Sequence, residues 1–478
     1  MPTGAEIYPR EAAGRLRGVE GTRRNRVTPG TLAHGVRAFL LIWLLVLSGG
    51  APCLAEPAVP GEDAPALSSA LVQGPADFEE CVRLALRQSP FLLKSSLEIE
   101  VRRLDETDSR YALVPPLSFR TYYYVNHPHQ QDLNPRAYSL QFVTDPYNPL
   151  ESYFVLQGRK LITQIAILGH LQLISEGLQR LGKMFLELET LKRVDAWQTE
   201  LISLTRQNLD YAEKRLSMGS ATSLEVRVAA QEVELAQSEK ERITASQKRV
   251  LQGLKAFLGL KPDQELTPDL REARRQVLGR FDAAAATLDQ ARARSYELKI
   301  QDIKKQLQAY KISLAKAKLL PSLLLGVQTP DPLSLTEARG LYFSVGLDVP
   351  VWDGFKRVRD ISRQKTILRQ FGAEAEEKDL EFGGKWLEAQ ENLRSAAAAR
   401  KMAQAQEELT RLKERQSEIR YQTGGEPLSI FLEGRKGNLE ARKIAALKSL
   451  EYDLAVLSLR HLSGDLGNRY VQASSWQQ

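Results

Sequence analysis

This chain offers few residues for chemistry. It has two cysteines, Cys53 and Cys81, which excludes a disulfide framework and a cysteine-rich metal site. Five histidines are scattered over 478 residues. His127-Pro128-His129 sets two imidazoles near a turn, where they could converge on a metal. No third ligand lies nearby, so an exposed loop with incidental histidines is the simpler reading. There is no P-loop, Gly-x-Ser-x-Gly elbow, His-Glu-x-x-His pair or pair of CxxC motifs. Glu and Lys along the helical stretches read as solvated faces and i,i+4 pairs. Neither an enzyme nor a bound cofactor or metal is expected. What stands out instead is punctuation. Gly219 follows Arg215-Leu216-Ser217-Met218, and Gly424 follows Arg420-Tyr421-Gln422-Thr423. Each interrupts a long helical stretch where a chain reversal needs a residue tolerant of positive φ.

The elements that carry these reversals follow from charge, length and pattern. Lys+Arg 66 against Asp+Glu 59 gives +7, and the first 55 residues hold seven Arg, no Lys and three Glu. The rest is nearly neutral, which argues against a nucleic-acid partner. Hydrophobic content of 43% with 26% charged residues is enough for packed structure. Length alone suggests about three domains of ~150 residues. Residues 38–47 form an uncharged apolar run behind Arg37, and Cys53-Leu54-Ala55 follows. Residues 1–55 therefore read as a secretory signal, too short in its apolar core to span a bilayer. The long basic lead suggests a start further downstream, for example at Val27. Cys53 invites lipidation, but Gly50-Ala51-Pro52 departs from a lipobox, and cleavage after Ala55 is preferred. Residues 56–76 read as a flexible lead-in. Beyond the signal no uncharged run reaches ~20 residues, the longest being Leu161–Ser175. Any membrane entry must then be as a closed β-barrel.

The chain is written twice. Ser89-Pro90 matches Ser295-Tyr296, and Leu113-Val114-Pro115 matches Leu319-Leu320-Pro321, both 206 residues on. Asp145-Pro146 pairs with Val349-Pro350 at 204, while the Gly219 and Gly424 motifs, and Leu258-Gly259 with Ser463-Gly464, pair at 205. The expected organisation is a first repeat over 77–262, a linker over 263–282, a second repeat over 283–466 and a tail over 467–478. Each repeat opens with a helix. Asp77 and Glu80 offer a capping box, and Ser89-Pro90 offers an N-cap followed by Pro at N1. Pro115-Pro116 ends the opening.

Two alternating segments follow in each repeat. Leu117, Phe119, Thr121, Tyr123 and Val125 alternate with Ser118, Arg120, Tyr122, Tyr124 and Asn126, and 138–144 repeats the pattern. Residues 322–328 and 341–349 do so again. Period two predicts four strands with one apolar face. The Tyr122-Tyr123-Tyr124 run suits an aromatic girdle. The loops 126–136 and 329–340 are polar and Pro-containing. The remainder of each repeat is a long helical hairpin, free of Pro from 150 to 261 and from 351 to 426. In the first hairpin, Ala229, Ala236, Ile243, Val250 and Phe257 recur as a heptad seam, with Val226, Val233 and Leu254 beside it. Lys240 and Gln247 interrupt the second row.

Four strands leave both sheet edges unpaired, so several chains must close one barrel, apolar side to lipid. Together these features resemble the TolC family of outer-membrane efflux proteins. The resemblance rests on the duplicated Leu-Pro strand entry, Pro350-Val351-Trp352-Asp353-Gly354, and the two tips at Gly219 and Gly424. It covers about Phe78 to Gly464. It implies a homotrimer with a 12-stranded barrel in outer-membrane lipid and an α-helical tunnel in the periplasm. It also implies a passive exit duct fed by an inner-membrane transporter through a periplasmic adaptor. Gly219, Glu225, Tyr421, Gly424 and Glu433 are then the aperture and docking candidates, and Tyr421 matches the family's gating tyrosine. Two departures stand out. Tyr147-Asn148-Pro149-Leu150 replaces the aromatic-Asp-Gly turn in the first repeat. Ile430 and Glu433 occupy the sixth and ninth positions after Gly424, so an acidic ring is at best half retained. The rival reading is a periplasmic coiled-coil adaptor or scaffold with no barrel, which would not explain four alternating segments placed symmetrically.

Overall fold

The computed structural model of the chain describes residues 76–123, 138–279, 281–283, 285–329, 342–349 and 351–466. The signal, the lead-in up to residue 75, His127 and His129, Tyr124, the inter-strand loops and the tail from 467 lie outside the described residues. The first half runs α1 (Phe78–Gln88), α2 (Pro90–Tyr111), β1 (Leu117–Tyr123), β2 (Tyr138–Thr144), α3 (Pro149–Ser217) and α4 (Ser223–Leu258). A short α5 (Ala273–Leu278) lies in the linker. The second half runs α6 (Leu288–Arg294), α7 (Tyr296–Ala317), β3 (Ser322–Thr329), β4 (Tyr342–Asp348), α8 (Lys356–Gln422) and α9 (Leu428–Leu462). Corresponding helices match in length: 22 and 22 residues for α2 and α7, 69 and 67 for α3 and α8, and 36 and 35 for α4 and α9.

The helix starts obey local chemistry. Asp77 accepts from the Glu80 amide at 2.7 Å, and Glu80 returns the bond to the Asp77 amide at 3.1 Å, completing the expected box. Ser89 departs from expectation. Pro90 does open α2, but the Ser89 hydroxyl makes no cap bond and is buried without a partner. Its counterpart Ser295 does cap, accepting from the Leu298 amide at 3.4 Å. Pro90 brings no amide of its own, so the first turn of α2 has one donor fewer to satisfy.

At about 1.5 Å per residue α3 extends roughly 100 Å, and its neighbours line up along it. It packs on α2, α4, α7 and α9, whereas α8 packs chiefly on α7 and α9. Helices α4 and α2 follow each other end to end. Gly259 ends α4 at φ +75°, and a Cβ there would stand 2.7 Å from the Gln88 carbonyl oxygen and 3.1 Å from Pro90 Cδ. Gly464, at φ +71°, seats the end of α9 against Arg294 in the same way. The heptad seam of α4 faces α3 as its spacing predicts: Ala229, Ala236, Ile243 and Phe257 are buried, and Val250 packs on the core. The two polar interruptions bond across the seam. Lys240 Nζ donates to Thr199 Oγ1 at 2.8 Å, and Gln247 Nε2 donates to the Leu191 carbonyl at 3.1 Å.

The main core girdles the middle of the long helices. Phe78, Cys81 and Val82 of α1 meet Leu181 and Phe185 of α3, Leu254 and Leu258 of α4, and Leu457 of α9. Phe78 and Phe185 pack edge to face, 5.4 Å between centroids. Burial, with Asp77 and Glu80 nearby, pushes the Cys81 thiol up to about 12, so it acts as a small hydrophobe. The linker belongs to this core. Leu266, Ala273 and Val277 are buried in it, and the backbones of Ala76, Thr267 and Asp269 bond at 3.0 and 2.8 Å. Arg274 pairs with the buried Asp453 of α9 at 2.6 Å, and the buried Arg460 donates to the Val277 carbonyl at 2.8 Å. Length suggested about three domains, but the described residues form one compact unit because both halves and the linker share this girdle. A stretch of α3 is long and apolar enough to cross a membrane by length and composition. One third of that stretch is buried within the chain, and Ile174, Leu178 and Leu181 of the same helix pack in the girdle.

Candidate functional site at the sheet and the hairpin tips

The four strands form one antiparallel sheet in the order β1-β2-β3-β4. Register aligns Phe119 with Phe142, Phe142 with Val327, and Val327 with Phe343, so one apolar row crosses every strand. Leu325 pairs with Val345 and Leu323 with Leu347 on the same face. These side chains are not covered: Phe119 is 55% exposed, Val345 76% and Leu347 63%. The other face carries Ser118, Arg120, Gln141 and Ser344, and Arg120 pairs with Asp145 at 2.7 Å. Gly326 is needed there, because a Cβ would lie 2.5 Å from Ser344 Oγ. The sheet's outer strands β1 and β4 each lack a second neighbour among the described residues. An apolar, exposed face opposite a polar one suits a wall between lipid and a water-filled lumen.

The first strand-to-helix junction is firmly built despite its unusual sequence. Tyr147 and Leu323 exchange backbone bonds at 2.9 and 2.7 Å. The Tyr147 hydroxyl donates to the Leu113 carbonyl. Buried Asn148 caps α3, accepting from the amides of Leu150 at 3.1 Å and Glu151 at 3.3 Å, and donates to the Ala317 carbonyl at 2.8 Å.

At the opposite end, both hairpins reverse through the same turn. Gly219 has φ +74° and Gly424 φ +76°, as the sequence predicts. The Ser220 amide donates to the Arg215 carbonyl at 2.8 Å and the Gly219 amide to Leu216 at 2.9 Å. Gly425 to Arg420 at 2.8 Å and Gly424 to Tyr421 at 3.1 Å repeat the pair. These bonds satisfy carbonyls that the helix end leaves free. Two residues missed by the sequence reading lock the turns. Arg215 donates to the Ser220 carbonyl at 2.7 Å and pairs with Glu225 at 3.5 Å. Arg420 pairs with Glu426 at 3.0 Å, and Ser417 donates to the same carboxylate at 2.7 Å. The Ser417 and Arg420 bonds hold the Glu426 carboxyl below its usual range. An Arg four residues before each tip glycine was the available signal.

Glu225 also completes a capping box with Thr222 at the start of α4, a Thr-x-x-Glu pattern legible in the sequence. Tyr421 stacks on Phe431 across its own hairpin, 5.3 Å apart with planes at 6°. Glu433 is exposed on α9, and no hydrogen bond joins it to Tyr421 among the described residues. Behind Phe431, Leu428 and Leu432 pack with Leu201, Ile202 and Ala236 of the first hairpin. Arg435–Glu200 at 2.7 Å and Lys436–Glu232 at 3.0 Å add bridges between the hairpins. Among the described residues no cluster of His, Cys, Asp and Glu could hold a metal.

No protein-family model matches the chain, and no curated protein matches it in sequence. Solved structures do. A membrane protein from Pseudomonas aeruginosa superposes with TM-score 0.69 at 16% identity, over 81% of this chain and 90% of that one. The outer membrane protein VceC of Vibrio cholerae gives 0.67 at 12%, over 81% and 96%. The Campylobacter jejuni outer membrane channel CmeC gives 0.66 at 13%, over 83% and 88%. The chain thus has the fold of these outer-membrane proteins.

Proposed function

We propose that this chain is the outer-membrane channel of a tripartite efflux or type I secretion system. It is a passive exit duct that receives substrates from an inner-membrane transporter through a periplasmic adaptor. The sheet carries the argument. Leu117, Phe119, Phe142, Leu325, Phe343, Val345 and Leu347 are exposed on one face of four strands with two open edges, and water is the wrong solvent for that surface. Three chains in a ring would close twelve strands and leave no edge. A periplasmic adaptor without a barrel has no use for such a face.

The helices support the same closure. Leu93, Leu97, Val101 and Leu104 of α2, Leu224, Val228 and Leu235 of α4, and Met402, Leu409, Leu412 and Ile419 of α8 are exposed at helical spacing. By contrast α7, flanked on both sides, has no large exposed hydrophobic. The outward stripes of α2 and α4 on one protomer would face α8 of the next. Such a head-to-tail contact repeats around an axis until it closes. The matched helix lengths in the two halves support an origin by duplication.

In this reading the tips at Gly219 and Gly424 meet the adaptor, with Glu225 bracing the first. Tyr421 and Glu433 line the aperture. The purified protein should be a stable trimer in mild detergent by light scattering, and a monodisperse monomer would defeat the proposal. Tyr421→Phe with Glu433→Ala should raise single-channel conductance in planar bilayers. Unchanged conductance in an intact trimer would remove both residues from the gate.

A further inference from the structure

The two strand-to-helix junctions occupy equivalent places but expose apolar and basic side chains to different degrees. At the first, Tyr147 and Asn148 are tied inward, Glu151 pairs with Lys318 at 3.8 Å, and Leu150 and Tyr153 are only about half exposed. At the second, the apolar row of β4 is prolonged by Val349 and Val351, and then by Trp352 and Phe355. Val351 is 91% exposed, Trp352 76% and Phe355 60%. The two rings pack edge to face, 5.1 Å apart at 73°. Phe355 has φ +60°, the one positive φ outside glycine among the described residues. A bulky residue rarely adopts that conformation, and holding it there keeps an aromatic ring in the open.

Charge completes the surface. Asp353 neutralises Arg357, accepting from its amide at 3.1 Å and pairing with its side chain at 3.6 Å. Lys356 and Arg359 are exposed, and neither enters an ion pair among the described residues. Arg359 lies one turn beyond Phe355 on the same helix face. Aromatic rings favour the membrane–water boundary, and basic side chains beside them favour anionic headgroups.

Resting on the barrel reading above, we propose that this junction binds anionic phospholipid at the periplasmic leaflet. Trp352 and Phe355 lie in the interface, and Lys356 and Arg359 hold the headgroup phosphate. Three such sites, one from each chain, would ring the barrel base.

The test uses the full chain in nanodiscs containing phospholipid brominated near the headgroup, either phosphatidylglycerol or phosphatidylcholine at equal mole fraction. Tryptophan emission should be quenched at least about twofold more by the brominated phosphatidylglycerol. Trp352→Phe should remove that difference, and Lys356→Gln with Arg359→Gln should equalise the two lipids while Trp352 remains quenched. Equal quenching of the unaltered chain by both lipids would overturn the proposal. So would Trp352 emission that neither lipid quenches, which would mean an adjacent subunit covers the rings. In both cases a detergent-resistant trimer recovered from the same nanodiscs leaves the channel reading standing. A chain that never enters the nanodisc sinks both.

Discussion

Helices α3 and α8 are nearly equal in length and hold the same place in the two halves, yet they are buried very differently. α3 buries twenty residues, including Leu181, Phe185 and Gln198, whereas α8 buries six. The cause is position. α3 has neighbours along its whole length, while α8 stands at the margin with Leu380, Leu387, Met402, Leu409 and Leu412 exposed. A sequence pattern repeated twice has thus become an interior helix and an edge helix. The edge helix keeps apolar surface that its own chain does not cover, and in the proposed channel a neighbouring subunit would cover it.

The largest effect should come from that uncovered stripe. Leu409→Asp with Leu412→Asp would place unpaired carboxylates in the subunit seam, where burial costs several kcal/mol each. The trimer should be lost by light scattering while helical circular dichroism is retained; a surviving trimer would break the comparison. Next is the interior helix. Phe185→Ala should destabilise by ~3–5 kcal/mol in denaturant unfolding, because it empties the girdle against Phe78. Leu387→Ala on α8 should stay within ~0.5 kcal/mol in the dissociated chain.

The glycines sharpen the contrast between girdle and tips. Gly424→Ala should cost about 1–2 kcal/mol, since a side chain at positive φ is strained but meets open space. Gly259→Ala should cost more by the same measurement, because its Cβ also strikes the Gln88 carbonyl. The smallest effect concerns pH. Glu426 is held below its ordinary 4.5 by Ser417 and Arg420, so its contribution is present above that value and lost as acid protonates it in the folded chain. Amide protection factors at the start of α9, corrected for the intrinsic rate at each pH, should therefore fall below about pH 4.5, and Glu426→Gln should abolish the added acid sensitivity.

Much of the site was legible without coordinates. Local rules govern a tip glycine, a capping box and a period-two strand, and Gly219, Gly424, Asp77 and the strand alternation all follow from neighbours within a few residues. Arg215, Arg420 and Glu426 were not read, although the repeated Arg was visible. A salt bridge across a turn depends on where the returning chain places its carboxylate, and spacing does not state that. Ser89 teaches the converse. It stands where a cap belongs, and its hydroxyl was turned into a buried, unpartnered position.

By itself, the sequence determined the kinds of element, their order, the face each strand would show and the residues at which the helices reverse. Each of these is set by backbone preference and hydrophobic period over short range. Tertiary structure alone decided that the linker's Leu266, Ala273 and Val277 would join the girdle, that Tyr421 would stack on Phe431, and that α3 would be interior and α8 an edge. Those outcomes depend on contacts between segments tens to hundreds of residues apart. Two copies with the same local pattern are indistinguishable until packing gives one of them neighbours on both sides and leaves the other with neighbours on one.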